Sequence, residues 1–153
     1  MMKNVTFAEQ TVIRSDEVLL RSRARNFLEL ARLLELGEKF SIVCSDFMDE
    51  FYHADKKDRQ SFIDFEPPEI ISSLIKDVDV VLIAGMAERF AHLYGLKVPA
   101  WVENSKYFNP IPDYCGWGEE QLSDDHKRAF QNHTPDEFSR RNLYVSENCL
   151  SRY

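Results

Sequence analysis

Four arginines, Arg14, Arg21, Arg25 and Arg32, are separated by steps of 7, 4 and 7 residues. On a helix turning about 100° per residue they stay within about 20° of a common line, so they form one stripe. A row of guanidinium forks suits phosphates or a carboxylate-rich partner, because each fork binds bidentately. The bland alternative is a solvated outer face, which is the rule for amphipathic helices. Arg23 projects instead toward the apolar side, where a charge needs pairing, and it predicts an acidic partner within the fold. Glu88 and His92 stand four residues apart, on one helical face. Such a pair serves as acid and base, or more often as a satisfied core pair. With Trp101 nearby in the chain, they define the candidate pocket.

Other chemistry is poorly supported. His53, His92, His126 and His133 show no ligand spacing, and a loop before Thr134 is expected to separate the last two, so no metal is expected. Cys44, Cys115 and Cys149 are odd in number and far apart, which argues against a disulfide framework. Cys115 carries no protease signature around it, and neither a Gly-x-Gly-x-x-Gly nor a Walker-type loop occurs. No cofactor is implied, and without a converging catalytic set the sequence favours a role other than catalysis.

The elements that position these residues follow from period and punctuation. Leu20, Phe27, Leu30, Ala31 and Leu34 recur at helical spacing between Ser15, a candidate N-cap, and Gly37, which predicts a first helix over 16–36. Phe40, Val43, Cys44, Phe47, Met48 and Phe51 predict a second, whose outer face carries Asp46, Asp49 and Glu50. The charged stretch 54–60 reads as a helix end or linker, and Pro67-Pro68-Glu69 opens a shorter helix. Residues 79–94 are apolar almost all round and stop at Gly95, which predicts the most buried helix.

After Gly95, Pro99, Pro110, Pro112, Gly116 and Gly118 punctuate a segment rich in rings, including Trp101, Tyr107, Tyr114 and Trp117. It reads as an ordered loop anchored by its aromatics. Thr134-Pro135-Asp136-Glu137 predicts a capping box and a short helix, and residues 142–145 read as extended.

Composition bounds the rest. At 153 residues, 44% hydrophobic and 29% charged, the chain is long enough for one ordinary domain and too rich in apolar residues for disorder. Its net charge of −7 argues against coating nucleic acid or anionic membrane by bulk charge. Residues 33–79 hold twelve acids against five bases, a surface that favours a basic protein partner or plain solubility. No apolar stretch approaches the roughly 18–20 residues of a membrane span, and no signal-like start is present, so a cytoplasmic location is expected.

Four stretches carry a resemblance: 83–88 (Ile-Ala-Gly-Met-Ala-Glu), 94–102 (Tyr-Gly-Leu-Lys-Val-Pro-Ala-Trp-Val), Lys106-Tyr107-Phe108, and the close from Phe138-Ser139-Arg140-Arg141-Asn142 through Arg152. With Phe47-Met48-Asp49-Glu50-Phe51-Tyr52 and Glu66-Pro67-Pro68, the set resembles uncharacterised bacterial proteins in which this region follows a helix-turn-helix regulator domain. Members of that group often sit beside nucleotidyltransferase-like genes, in the manner of toxin–antitoxin pairs. The resemblance implies an interaction module with a protein partner of nucleotidyltransferase-like type, and assigns no catalytic residue. Residues 1–65 lack a helix-turn-helix pattern, so it does not carry DNA binding by that route.

These readings converge on an all-α or mostly α domain spanning 1–153, of five to seven helices. It comprises an arm at 1–13, a helical core at 16–94, an aromatic loop at 95–118 and C-terminal helices at 119–153. The expected role is an antitoxin-like interaction domain. Its partner contacts are drawn from Arg14, Arg21, Arg25, Arg32, Asp46, Asp49, Glu50, Trp101, Tyr107, Tyr114 and Trp117. A nucleic-acid-binding role through the arginines, or a small-molecule role at Glu88, His92 and Trp101, is the alternative.

Overall fold

The computed structural model describes residues 13–114 and 121–145, and the chain is mostly helical, as the sequence predicts. Cys115, Trp117, the close from 146 onward and all but the last residue of the expected arm lie outside the described residues. The fold divides between Leu74 and Ile75 into two compact units.

In the first unit, α1 spans Asp16–Arg21, α2 Phe27–Glu35, α3 Phe40–His53, α4 Arg59–Asp64 and α5 Ile71–Leu74. The single helix expected over 16–36 is therefore two. Ser15 caps α1 as anticipated, accepting from the Val18 N–H, but Ser22 Oγ then donates to the Val18 carbonyl and the chain leaves the helix. Asn26 takes an extended conformation and its side chain accepts from the Glu29 N–H at 2.8 Å, which starts α2. Short polar side chains offer the backbone partners that compete with a continuous ladder, and apolar spacing does not register them. Asn26 is buried, so Asn26→Ala is expected to cost about 1 kcal/mol. A urea midpoint unchanged from that of the wild type would show the cap to be dispensable.

Gly37, at φ 98°, stops α2 where the sequence places the stop, with the Gly37 and Glu38 N–H groups bonding the Leu34 and Leu33 carbonyls. The apolar face of α3 is as its spacing predicts. Val43, Cys44, Phe47, Met48 and Phe51 are buried, Phe27 stacks on Phe47 at 4.8 Å, and Phe62 of α4 meets both Phe47 and Phe51 edge-on at 5.6 Å. The charged stretch after α3 is a 3₁₀ turn at Lys56–Asp58 leading into α4, held by Arg59, which donates to the Phe51 and Tyr52 carbonyls at the end of α3.

The second unit is built on α6, Asp77–Tyr94, whose residues Val80, Val81, Ile83, Ala84, Met86, Ala87, Phe90 and Ala91 are all buried. Gly95 ends it in the left-handed region, as expected. Two 3₁₀ turns follow, Ala100–Glu103 and Ser105–Tyr107. Next come strand β1 (Asp113–Tyr114), α7 (Asp124–His133), α8 (Asp136–Ser139) and β2 (Leu143–Tyr144). The strands pair in parallel, Asp113 opposite Leu143. Extended residues were expected at 142–145, but a two-residue partner inside the aromatic loop is too short to show a period.

Two local expectations fail. Thr134 is not the N-cap of α8: it ends α7, and its Oγ1 lies 2.6 Å from the Phe130 carbonyl and accepts from the Val145 N–H at 3.0 Å. A buried hydroxyl that ties α7 to the closing chain is worth more there than at a cap, because both partners are buried. The loop expected between His126 and His133 is absent, and both lie on α7.

Candidate functional site

Each unit encloses a buried carboxylate gripped by more than one arginine. In the first, Glu29 on α2 accepts from the Arg14 N–H, from Arg14 Nε and Nη2 at 2.9 and 2.8 Å, and from the Arg25 N–H at 2.9 Å. The Arg14 guanidinium also donates to the Arg23 carbonyl at 2.5 Å. This cluster bridges the break between α1 and α2, and its buried carboxylate is held by Arg14. Arg23 finds the acidic partner that the sequence predicts in Asp46, at 3.8 Å, with both side chains a little under half exposed.

The arginine stripe does not survive as a row. Arg14 precedes α1 and Arg25 lies between the helices. Arg25 pairs with Glu50 at 2.9 Å, Arg32 bonds both oxygens of Asp16 at 2.8 and 2.6 Å, and Arg21 pairs with Glu17 at 3.3 Å on the surface. Asp46 and Glu50 are thereby joined to arginines within the chain, and the Asp49 carbonyl lies 2.8 Å from His53 Nδ1.

The second cluster is larger and gathers the residues of the closing Arg-Arg-Asn run. Arg141 is 0% exposed; its Nη1 donates to Glu88 Oε1 at 2.5 Å and to the Glu137 carbonyl at 2.7 Å, and its Nη2 to the Val102 carbonyl at 2.8 Å. Arg140 clasps the same carboxylate, with Nε on Oε1 at 2.9 Å and Nη2 on Oε2 at 3.0 Å, and its outer edge reaches Glu103. The Phe108 ring lies 4.9 Å from the Arg141 guanidinium and 5.3 Å from that of Arg140, which places the negative ring face toward both cations. Asn142 then turns the chain at φ 59°, a left-handed conformation that asparagine tolerates, and donates through its side chain to the Asn109 carbonyl. These bonds deliver the chain into β2.

Glu88 and His92 share a face of α6 but do not bond each other. His92 Nδ1 lies 2.5 Å from Oε2 of the buried Glu137, and Arg89 Nη1 lies 3.4 Å from the other oxygen. Trp101 is half-buried and edge-on to Tyr107 at 5.2 Å. Tyr107 and Tyr114 are buried, Tyr114 stacking on Tyr144 at 5.0 Å, and their rings serve packing. Among the described residues, no group of three or more His, Cys, Asp or Glu side chains is placed to hold a metal ion.

Electrostatics agree with this geometry. Burial alone would raise the Glu88 carboxyl, yet the bonds from Arg140 and Arg141 outweigh it and hold Glu88 below its ordinary range. Glu29 is lowered in the same way: burial opposes, and the Arg14 side chain with the Arg14 and Arg25 N–H groups prevails. A carboxyl lowered in the folded state contributes stability that is complete above its unfolded value, about 4.3, and is lost as pH falls through the folded one. The urea midpoint should therefore drop below about pH 4. Glu29→Gln should flatten part of that acid limb, and an unchanged slope would refute the assignment.

Asp79 acts in the opposite sense, raised chiefly by burial, with Lys76 opposing and Asp113 adding to it. Its protonation favours the fold, which moderates the acid loss.

No family model, curated protein or solved structure matches the chain.

Proposed function

We propose that this chain is a bacterial, cytoplasmic interaction domain, the neutralising or regulatory half of a protein pair, with a nucleotidyltransferase-like protein as the other half. The observation that supports it best is the use made of the residues that carry the resemblance. Glu88 with Arg140, Arg141 and Asn142 is committed to fastening the closing chain onto α6, so these residues build a scaffold. Arg14, Arg25 and Arg32 end on carboxylates of the same chain, which weighs against an open row for phosphates. Within the aromatic segment, Ile111 is 71% exposed and offers an apolar contact that packing does not require.

The test is capture of the tagged protein's partner from its native host at moderate salt, with and without nuclease, followed by reconstitution from purified components. A stoichiometric protein complex that survives nuclease is expected. Ile111→Asp should then weaken it by about tenfold or more with an unchanged melting temperature. A partner lost with nuclease, or affinity falling steeply with salt and abolished when the four arginines are changed to alanine, would replace this reading with nucleic-acid binding.

A further inference from the structure

We propose that His92 is a phosphorylation site, an imidazole set to accept a phosphoryl group on Nε2 from an acyl phosphate or phosphoramidate donor. The inference rests on the α6–α8 geometry and is independent of the partner reading. Glu137 on α8 is buried, its side chain 6% exposed, while the His92 side chain is 50% exposed. The two meet at 2.5 Å, Nδ1 to Oε2. In the proposed reaction Nδ1 donates its proton in a hydrogen bond to Glu137 Oε2, and Nε2 of the neutral ring is the nucleophile.

Among the described residues, Nε2 makes no hydrogen bond, and half of the ring's side chain stands in solvent where a donor can approach.

Attack by that lone pair forms the N–P bond as the P–O or P–N bond to the leaving group breaks. The electron pair departs with the carboxylate or amine. Positive charge develops on the ring as this happens, and three features oppose its cost. The buried Glu137 carboxylate faces Nδ1, as the acid of a catalytic triad faces its histidine. The ring lies in the last turn of α6, at the negative end of the helix dipole. Arg89, one turn earlier and 3.4 Å from the other Glu137 oxygen, supplies a cation on the same helix for the incoming phosphoryl oxygens.

The chain contains its own control. His53 also occupies the last turn of a helix, but its Nδ1 lies 2.8 Å from a backbone carbonyl oxygen, that of Asp49. It shares the dipole and the exposure and lacks the carboxylate.

The experiment treats the whole protein with phosphoramidate and, separately, with acetyl phosphate at neutral pH. Phosphohistidine is then mapped by tandem mass spectrometry under alkaline conditions, and the nitrogen is assigned by phosphorus NMR. His92 should be modified on Nε2 about tenfold or more faster than His53, and Glu137→Gln should bring its rate to that of His53. Equal rates at His92 and His53 in the unmutated protein overturn the proposal without recourse to any variant. So does an undiminished His92 rate in a folded Glu137→Gln protein. Reaction with phosphoramidate alone would confine the donor class to N–P compounds and overturn the acyl-phosphate half.

Discussion

Glu88→Ala is expected to destabilise the protein by about 3–5 kcal/mol, the largest loss from any single truncation in the charged cluster. Arg141 is fully buried, and its other acceptors are the Glu137 and Val102 carbonyls, which bring no charge. Removing Glu88 strands one guanidinium in the interior and releases a second, Arg140, from its bidentate grip. The cost comes from the uncompensated charge, so replacing the ions together should cost far less than replacing one. Glu88→Leu with Arg141→Met should recover most of the loss, the more so because Arg141 Nε finds no hydrogen-bond partner among the described residues. Urea unfolding followed by circular dichroism measures both. A loss under about 1 kcal/mol for Glu88→Ala would mean that Arg141 reaches water or another acid, and the cluster as described would be wrong.

The same cluster shows where sequence reading succeeds and where it stops. The long helices were legible because their apolar residues run over several turns: Val43, Phe47 and Phe51 point inward as their spacing requires, and the nearly all-apolar run from Val80 to Phe90 is buried on most sides. Gly37 and Gly95 were legible because left-handed stops favour glycine. The break at residues 22–26 was not, since it depends on which backbone group the Ser22 and Asn26 side chains bond, and apolar spacing runs across it undisturbed.

The site was half legible. Glu88 and His92 were placed on one face of one helix, but their partners lie 45 to 53 positions further on, beyond the reach of any local pattern. One signal could have found them. Arg140 and Arg141 sit in a closing stretch with Phe138, Leu143, Tyr144 and Val145, and adjacent cations among core residues demand a buried acid. The arginine stripe failed for a related reason. Its geometry presupposed one continuous helix, and its charges found acids on neighbouring elements instead.

Gly85→Ala should reverse the usual sign of that substitution. Inside a helix, alanine in place of glycine ordinarily stabilises by up to about 1 kcal/mol, through lower chain entropy and better propensity. Gly85 lies in the middle of α6, yet a Cβ there would stand 2.4 Å from Cδ1 and 2.6 Å from Cε1 of Phe138, far inside the roughly 3.5–4.0 Å of carbon contact. The Phe138 ring is fully buried, so it has no solvent to move into, and α8 must shift from α6 as a body. That shift would carry Glu137 away from His92 and strain the Arg140 and Arg141 grip on Glu88. A loss of about 1–3 kcal/mol is expected.

The cause is separable by a double-mutant cycle. Phe138→Leu alone leaves a void and costs about 1–3 kcal/mol, but in the Gly85→Ala background it removes the clash and should cost at least about 1 kcal/mol less. Additive losses would show that the alanine acts elsewhere. A Gly85→Ala protein more stable than its parent would place α8 further from α6 than the close approach of Gly85 and Phe138 allows.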